Sequence, residues 1–191
     1  PAPVVTPDLL PVILDTVILP VVRELKRRGI VYKGVLYAGL MLGPRGLNVL
    51  EFNARFGDPE TEAVLPRLGG DLIPALQACI DGTLRAELVQ VRPEVAATVI
   101  MAAGGYPGAY AKGTPITGLE EAAQVPDSLV FHAGTALKDG QVVTSGGRVL
   151  AVTALGPDLK TAVGRAYEAV SKIHFDGAQH RTDIAHRAFN R

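Results

Sequence analysis

Asn48-Val49-Leu50-Glu51-Phe52-Asn53-Ala54-Arg55-Phe56-Gly57-Asp58-Pro59-Glu60-Thr61-Glu62 begins as a strand and ends as a charged loop. Val49, Leu50 and Phe52 are apolar, whereas Glu51, Asn53 and Arg55 take alternate positions, so in an extended chain three polar groups leave one face of a sheet. A carboxylate and an amide oxygen are hard ligands for a divalent cation, and a guanidinium offers a planar fork of donors to a phosphoryl group. A solvated strand face would show the same alternation without any chemistry. The continuation weighs against that reading. Arg55 to Glu60 sets three charges, a Gly and a Pro directly behind the strand, more charge than a simple hairpin turn requires.

Upstream, Ile30–Leu42 reads as a long strand, Gly43-Pro44-Arg45-Gly46 as a turn and Asn48–Asn53 as the antiparallel return, with Lys33 as a charge on the strand edge. Before it, Thr6-Pro7-Asp8 starts a helix that runs to about Arg28 and ends at Gly29, with a kink expected at Pro20. Downstream, Pro59–Leu68 reads as a short helix capped by Asp58, and Asp71 caps another that runs to Ile80.

Near Val91-Arg92-Pro93 the texture changes to short β-branched runs between glycines, which sets a domain boundary after residue 92. Ala96–Ala103, Leu129–His132, Gln141–Thr144 and Arg148–Leu155 are expected strands, and Asp139-Gly140 is a tight turn. Ala162, Ala166, Ala169, Val170 and Ile173 recur at helical spacing in a helix opened by Pro157 or Asp158, and the tail from Arg181 to Arg187 adds a further turn. The fold class is therefore α+β.

The 191 residues carry 19 basic and 19 acidic side chains, so charge gives no case for a nucleic-acid or anionic-membrane partner. No apolar run approaches the roughly 20 residues of a membrane span. Cys79 is the only cysteine, which excludes an intrachain disulfide and suits a reducing cytoplasm; its apolar neighbours argue for a buried small residue. Pro1-Ala2-Pro3-Val4-Val5-Thr6-Pro7 has no initiator Met and reads as the interior of a longer protein.

Tyr32-Lys33-Gly34-Val35-Leu36-Tyr37-Ala38-Gly39-Leu40-Met41, a short turn, and then Val49 to Glu62 closely resemble the phosphoribosylamine–glycine ligase family of the ATP-grasp superfamily. Ala102-Ala103-Gly104-Gly105-Tyr106-Pro107-Gly108, Phe131-His132-Ala133-Gly134-Thr135 and Ser145-Gly146-Gly147-Arg148-Val149-Leu150 resemble that family's C-terminal region in order and spacing. The resemblance implies the C-terminal part of an ATP-grasp domain over 1–92, an antiparallel sheet with helices, followed by a small β-rich domain over 93–191. It implies ligation of glycine to 5-phosphoribosylamine with ATP and Mg2+ or Mn2+, in purine synthesis, with the upstream remainder of the polypeptide as partner. Glu51 and Asn53 would be metal ligands, Arg55 a catalytic and ATP-phosphate contact, and Asp58 a second catalytic group. Asp58 and Glu60 fit equally as orienters of glycine or Arg55 and as a helix cap with a first-turn acid.

Many ATP-grasp enzymes carry another acid on the preceding strand, and Tyr37-Ala38-Gly39-Leu40 has none, so the metal site is expected to be lean in protein ligands. Two alternatives stand beside the ligase reading: an ATP-grasp carboxylate–amine ligase with another acceptor, and a fragment that is silent alone and serves as a structural half-site. Gly104-Gly105 and Gly146-Gly147 read as turn glycines, and His174, His180 and His186 as tail residues without metal-ligand spacing; His132 and Arg148 stand in motifs whose resemblance leaves open that they face the active site from the C-terminal domain, with a histidine satisfied within a sheet as the favoured reading of His132.

Overall fold

The computed structural model describes residues 4–189. Pro1-Ala2-Pro3, at the opening read as the interior of a longer protein, lie outside the described residues. The chain divides into two compact units, Pro1–Gly57 with Gly70–Gln90, and Asp58–Gly69 with Val91–Arg191. A single cut after residue 92 would assign Asp58–Gly69 to the first unit; in the structure it packs with the second. Two-residue strands β3 (Leu68–Gly69) and β4 (Gln90–Val91) lie where the chain passes between units.

In the first unit, α1 (Leu9–Ile13) and α2 (Leu19–Arg27) are joined by a π-helical turn over Leu14–Ile18. Pro20 lacks an N–H and crowds the carbonyl four residues back, so the chain widens immediately before it, and the expected kink is taken up as this π-turn. No side chain caps α1; the Thr6 carbonyl accepts from the Leu9 and Leu10 N–H groups instead. At the other end Gly29 turns left-handed and Ile30 N–H returns to Leu25 C=O, which closes α2.

The strand expected from Ile30 begins only at Tyr37. Tyr32 donates from its hydroxyl to Val35 C=O and Gly34 has φ +134°, which makes residues 30–36 a folded loop. Lys33 is not an edge charge: its Nζ donates to the Ile80 carbonyl at the end of α4 (Ile73–Asp81), where the helix dipole favours a cation. β1 (Tyr37–Gly43) and β2 (Gly46–Asn53) form the expected hairpin, with Pro44 and Arg45 in the turn. As expected, the Asp71 carboxylate accepts from Ile73 N–H at 2.9 Å and starts α4. Cys79 on that helix is half-buried.

The second unit is built on a four-stranded antiparallel sheet in the order β10 (Gln179–His180), β5 (Val95–Ala102), β9 (Arg148–Gly156), β6 (Ser128–His132). β7 (Thr135–Lys138) and β8 (Gln141–Thr144) make a hairpin around Asp139-Gly140. Every residue of β9 after Arg148 is buried, because the strand is covered on both faces. On one face lies α6 (Leu159–Lys172), whose Ala162, Ala166 and Ala169 are fully buried and let it approach closely. Its N-terminus is capped by Asp158, which accepts from Thr161 N–H at 2.7 Å; that bond holds the carboxyl below its ordinary range. α5 (Leu119–Ala123) and the closing α7 (His186–Phe189) complete the unit.

The other face of β9 meets α3 (Thr61–Val64), which continues as a 3-10 turn over Leu65–Arg67 rather than as one helix from Pro59. Thr153 is fully buried there, and its hydroxyl lies 2.7 Å from that of its cross-strand partner Thr98 and donates to Glu62 C=O at 3.0 Å. Thr153→Val keeps the shape and strands both partners, so a loss of about 1–3 kcal/mol is expected in urea unfolding.

Candidate functional site

β2 brings Glu51 and Asn53 together: Asn53 Nδ2 donates to Glu51 Oε1 at 3.2 Å on the exposed side of the hairpin. Asn53 stands opposite Tyr37 and Glu51 opposite Gly39, and the register then slips so that Leu40 faces Val49 and Leu50 is the extra residue of a bulge. A Cβ built on Gly39 would lie 3.0 Å from Glu51 Cγ. The Glu51 side chain therefore crosses the bare backbone of β1, and the position that faces it has no side chain to add a second carboxylate. Arg55 follows as the strand ends and donates from Nη1 to Phe56 C=O at 2.8 Å.

Carboxylate and amide oxygens side by side form a small hard-ligand set. Among the described residues no cluster of three or more His, Cys, Asp or Glu could hold a metal ion, so phosphate and water oxygens would have to complete any coordination shell. His174 is engaged through its backbone with Thr117, His180 packs beside the Tyr167 ring, and His186 Nδ1 lies 2.8 Å from Asp183 C=O.

Asp58 belongs to the second unit and does not cap a helix. Glu60 precedes α3, also without a side-chain cap bond. Asp58 is instead held by Arg148 at the start of β9: Nη1 donates to its carboxylate Oδ1 at 2.9 Å and to its main-chain carbonyl at 3.2 Å. Arg148 Nε also reaches the Tyr106 hydroxyl at 3.4 Å. Tyr106, and after it Asp58, hold the guanidinium above its ordinary value, so it is charged throughout the working range. On α3, Glu62 Oε2 is buried without a hydrogen-bond partner among the described residues.

Gly104-Gly105 lie in a turn and Gly146-Gly147 in a bend before β9. A Cβ on Gly147 would lie 2.1 Å from the Tyr106 ring, so this glycine exists to let the ring lie on the backbone. His132 ends β6 with Nδ1 3.0 Å from the Thr135 hydroxyl, as expected of a satisfied histidine. The residues that sequence reasoning missed are Tyr106 and the pairing of Arg148 with Asp58 across 90 positions. No local signal connects an arginine before a strand to an aspartate so far away.

Profiles of one family match most of the chain. The phosphoribosylglycinamide synthetase ATP-grasp (A) domain matches residues 1–61, and the phosphoribosylglycinamide synthetase C domain matches residues 96–187. A phosphoribosylamine–glycine ligase from Synechocystis is 51% identical over 190 residues, 98% of this chain and 45% of the relative. One from Pseudomonas aeruginosa is 50% identical over 192 residues, 100% of this chain and 44% of the relative. The human trifunctional purine biosynthetic protein adenosine-3 is 50% identical over 189 residues, 98% of this chain and 19% of that protein. The crystal structure of phosphoribosylamine–glycine ligase from Thermotoga maritima superposes with a TM-score of 0.72 at 38% identity, covering 84% of this chain and 39% of that one. N5-carboxyaminoimidazole ribonucleotide synthetase from the same organism, at 16% identity and a TM-score of 0.55, shares the fold. The chain thus spans less than half the length of the single-function relatives it matches.

Proposed function

The chain belongs to the phosphoribosylglycinamide synthetase family, and on that premise we propose that it supplies one metal-and-phosphate edge of an enzyme that ligates glycine to 5-phosphoribosylamine. The observation that carries the reading is the pairing of Glu51 with Asn53 on β2, followed directly by the run from Arg55 to Glu60. A glycine carboxylate oxygen attacks the γ-phosphorus of ATP, ADP leaves, and glycyl phosphate forms. The amine of phosphoribosylamine then attacks the acyl carbon, and phosphate leaves. In both steps negative charge builds on oxygens that transfer or depart.

Glu51 and Asn53 would hold Mg2+ or Mn2+ through their side-chain oxygens, and the cation would supply neutralisation of phosphate charge. Arg55, which follows the strand directly, is read as the guanidinium that would stabilise the negative charge developing on the γ-phosphoryl group and the acyl phosphate. Asp58 is read as the second catalytic group of this run.

Residues 1–92 are read as the end of the ATP-grasp domain and 93–191 as the β-rich C-terminal domain. The first unit buries few apolar side chains: among the described residues they are Ile13, Val17, Ala75 and Ala78. Leu50, Ile73 and Ile80 are 64%, 67% and 62% exposed, apolar side chains suited to burial against the upstream remainder of the polypeptide. The same exposure supports the second reading, in which this segment alone is a silent half-site.

In the full-length protein, ADP release that requires both glycine and phosphoribosylamine is the expected result. Release driven by another amine in place of phosphoribosylamine would move the assignment to a different carboxylate–amine ligase. Calorimetric titration of the isolated chain with Mg-ATP is expected to show no tight binding, and saturation at micromolar ATP would reject the half-site reading.

A further inference from the structure

We infer that Arg148 is a positioning residue for the ligation: from β9 of the second unit it fixes Asp58, three positions after Arg55 in the chain. The inference rests on the ligase reading above. One guanidinium nitrogen grips Asp58 twice, at carboxylate Oδ1 at 2.9 Å and at the main-chain carbonyl at 3.2 Å. Side chain and backbone of Asp58 are thereby set together, a constraint that a bond to the carboxylate alone would not impose.

Arg148 is itself held. Its Nε reaches the Tyr106 hydroxyl at 3.4 Å, and the Tyr106 ring lies against Gly147, where a Cβ would come within 2.1 Å of it. Gln179 Nε2 donates to the Tyr106 carbonyl at 2.9 Å and to that of Ala103 at 3.2 Å, which fixes the loop bearing the ring. The next residue, Val149, is fully buried, so the arginine projects from the start of the most enclosed strand of its unit.

Stability does not explain this arrangement. The ion pair is solvent-accessible, with side chains 39% and 66% exposed, and exposed pairs contribute little to folding. A double grip with a braced arginine serves orientation, and the guanidinium reaches Tyr106 through Nε and Asp58 through Nη1, a span that a lysine ammonium cannot reproduce.

The test is steady-state kinetics of the full-length protein as wild type, Arg148→Met, Arg148→Lys, Asp58→Asn and the Met/Asn double variant, with melting temperatures alongside. Arg148→Met and Asp58→Asn are each expected to lower kcat/KM for glycine about tenfold or more, and the double variant no further than the worse single one. Arg148→Lys should fall between wild type and Arg148→Met, and every variant should melt within about 3 °C of wild type. An active wild type with Arg148→Met within about twofold of it would overturn the inference, as would additive losses. A loss of active fraction with an unchanged KM and a depressed melting temperature would make the residue merely structural and overturn it too. A wild type without glycine-dependent ADP release would overturn the ligase reading, and this inference with it.

Discussion

Glu51→Ala in the full-length protein is expected to lower kcat for glycine-dependent ADP release at least about a hundredfold, and to raise the Mg2+ concentration needed for half-maximal rate. The size of the effect follows from how few protein oxygens the hairpin offers. Opposite Glu51 on β1 stands Gly39, which contributes no side chain and whose Cα lies directly under the glutamate's stem. Losing Glu51 leaves Asn53, a neutral ligand, and β1 and β2 carry no other carboxylate. Glu51→Gln separates charge from shape, since it still accepts from Asn53 Nδ2 and removes only the negative charge. It should lose most of the same activity. Both variants should keep the melting behaviour of the wild type, because Glu51 is exposed and its side-chain hydrogen bond is to Asn53 on the same strand. A Glu51→Ala protein within about threefold of wild type at saturating Mg2+ would remove Glu51 from the metal site.

The pairing of Glu51 with Asn53 was legible in the sequence because a strand's period of two is short: the two share a face whatever the rest of the fold does. The same logic fails where an extra residue enters. The bulge at Leu50 is invisible in the string of apolar letters, and with it the fact that Glu51 lies across Gly39. The apolar, β-branched look of Ile30-Val31 invited a strand, yet Val31 is 81% exposed and the chain there folds on Tyr32 and Gly34. Tertiary context overrode propensity in that segment.

Asp58 shows a different limit. Asp-Pro followed by two glutamates is a sound helix-start signal, and a helix does follow, but the carboxylate is taken by Arg148, 90 residues on. A cap is a local bond and can be guessed from neighbours, whereas a long-range ion pair depends on the whole sheet being assembled. α6 was readable for the opposite reason: its alanines repeat at helical spacing, and all of them turned out to face the sheet.

Gly118→Ala is expected to destabilise the second unit by about 2–5 kcal/mol, the largest folding effect of any methyl addition considered. Gly118 precedes α5 with φ +79° and ψ 10°, a left-handed conformation that costs an L-residue roughly 1–2 kcal/mol. The added methyl has nowhere to go: its Cβ would sit 1.8 Å from the Lys172 carbonyl oxygen and 2.7 Å from the carbonyl carbon, at the end of α6. Backbone cannot rotate away as a side chain can. Thr117 and His174 also exchange backbone hydrogen bonds at 2.9 and 3.0 Å, so retreat would open that bridge and draw α5, with its fully buried Ala122, off α6. Gly140→Ala supplies the control, since Gly140 has the same φ of +79° and nothing within 4 Å of its added Cβ. It should lose only the conformational part, about 1–2 kcal/mol. In a domain of this size the difference between the two variants should amount to roughly 4–20 °C in melting temperature. If both melt together, the Lys172 carbonyl does not press on Gly118, and the close packing of α5 against the end of α6 is wrong.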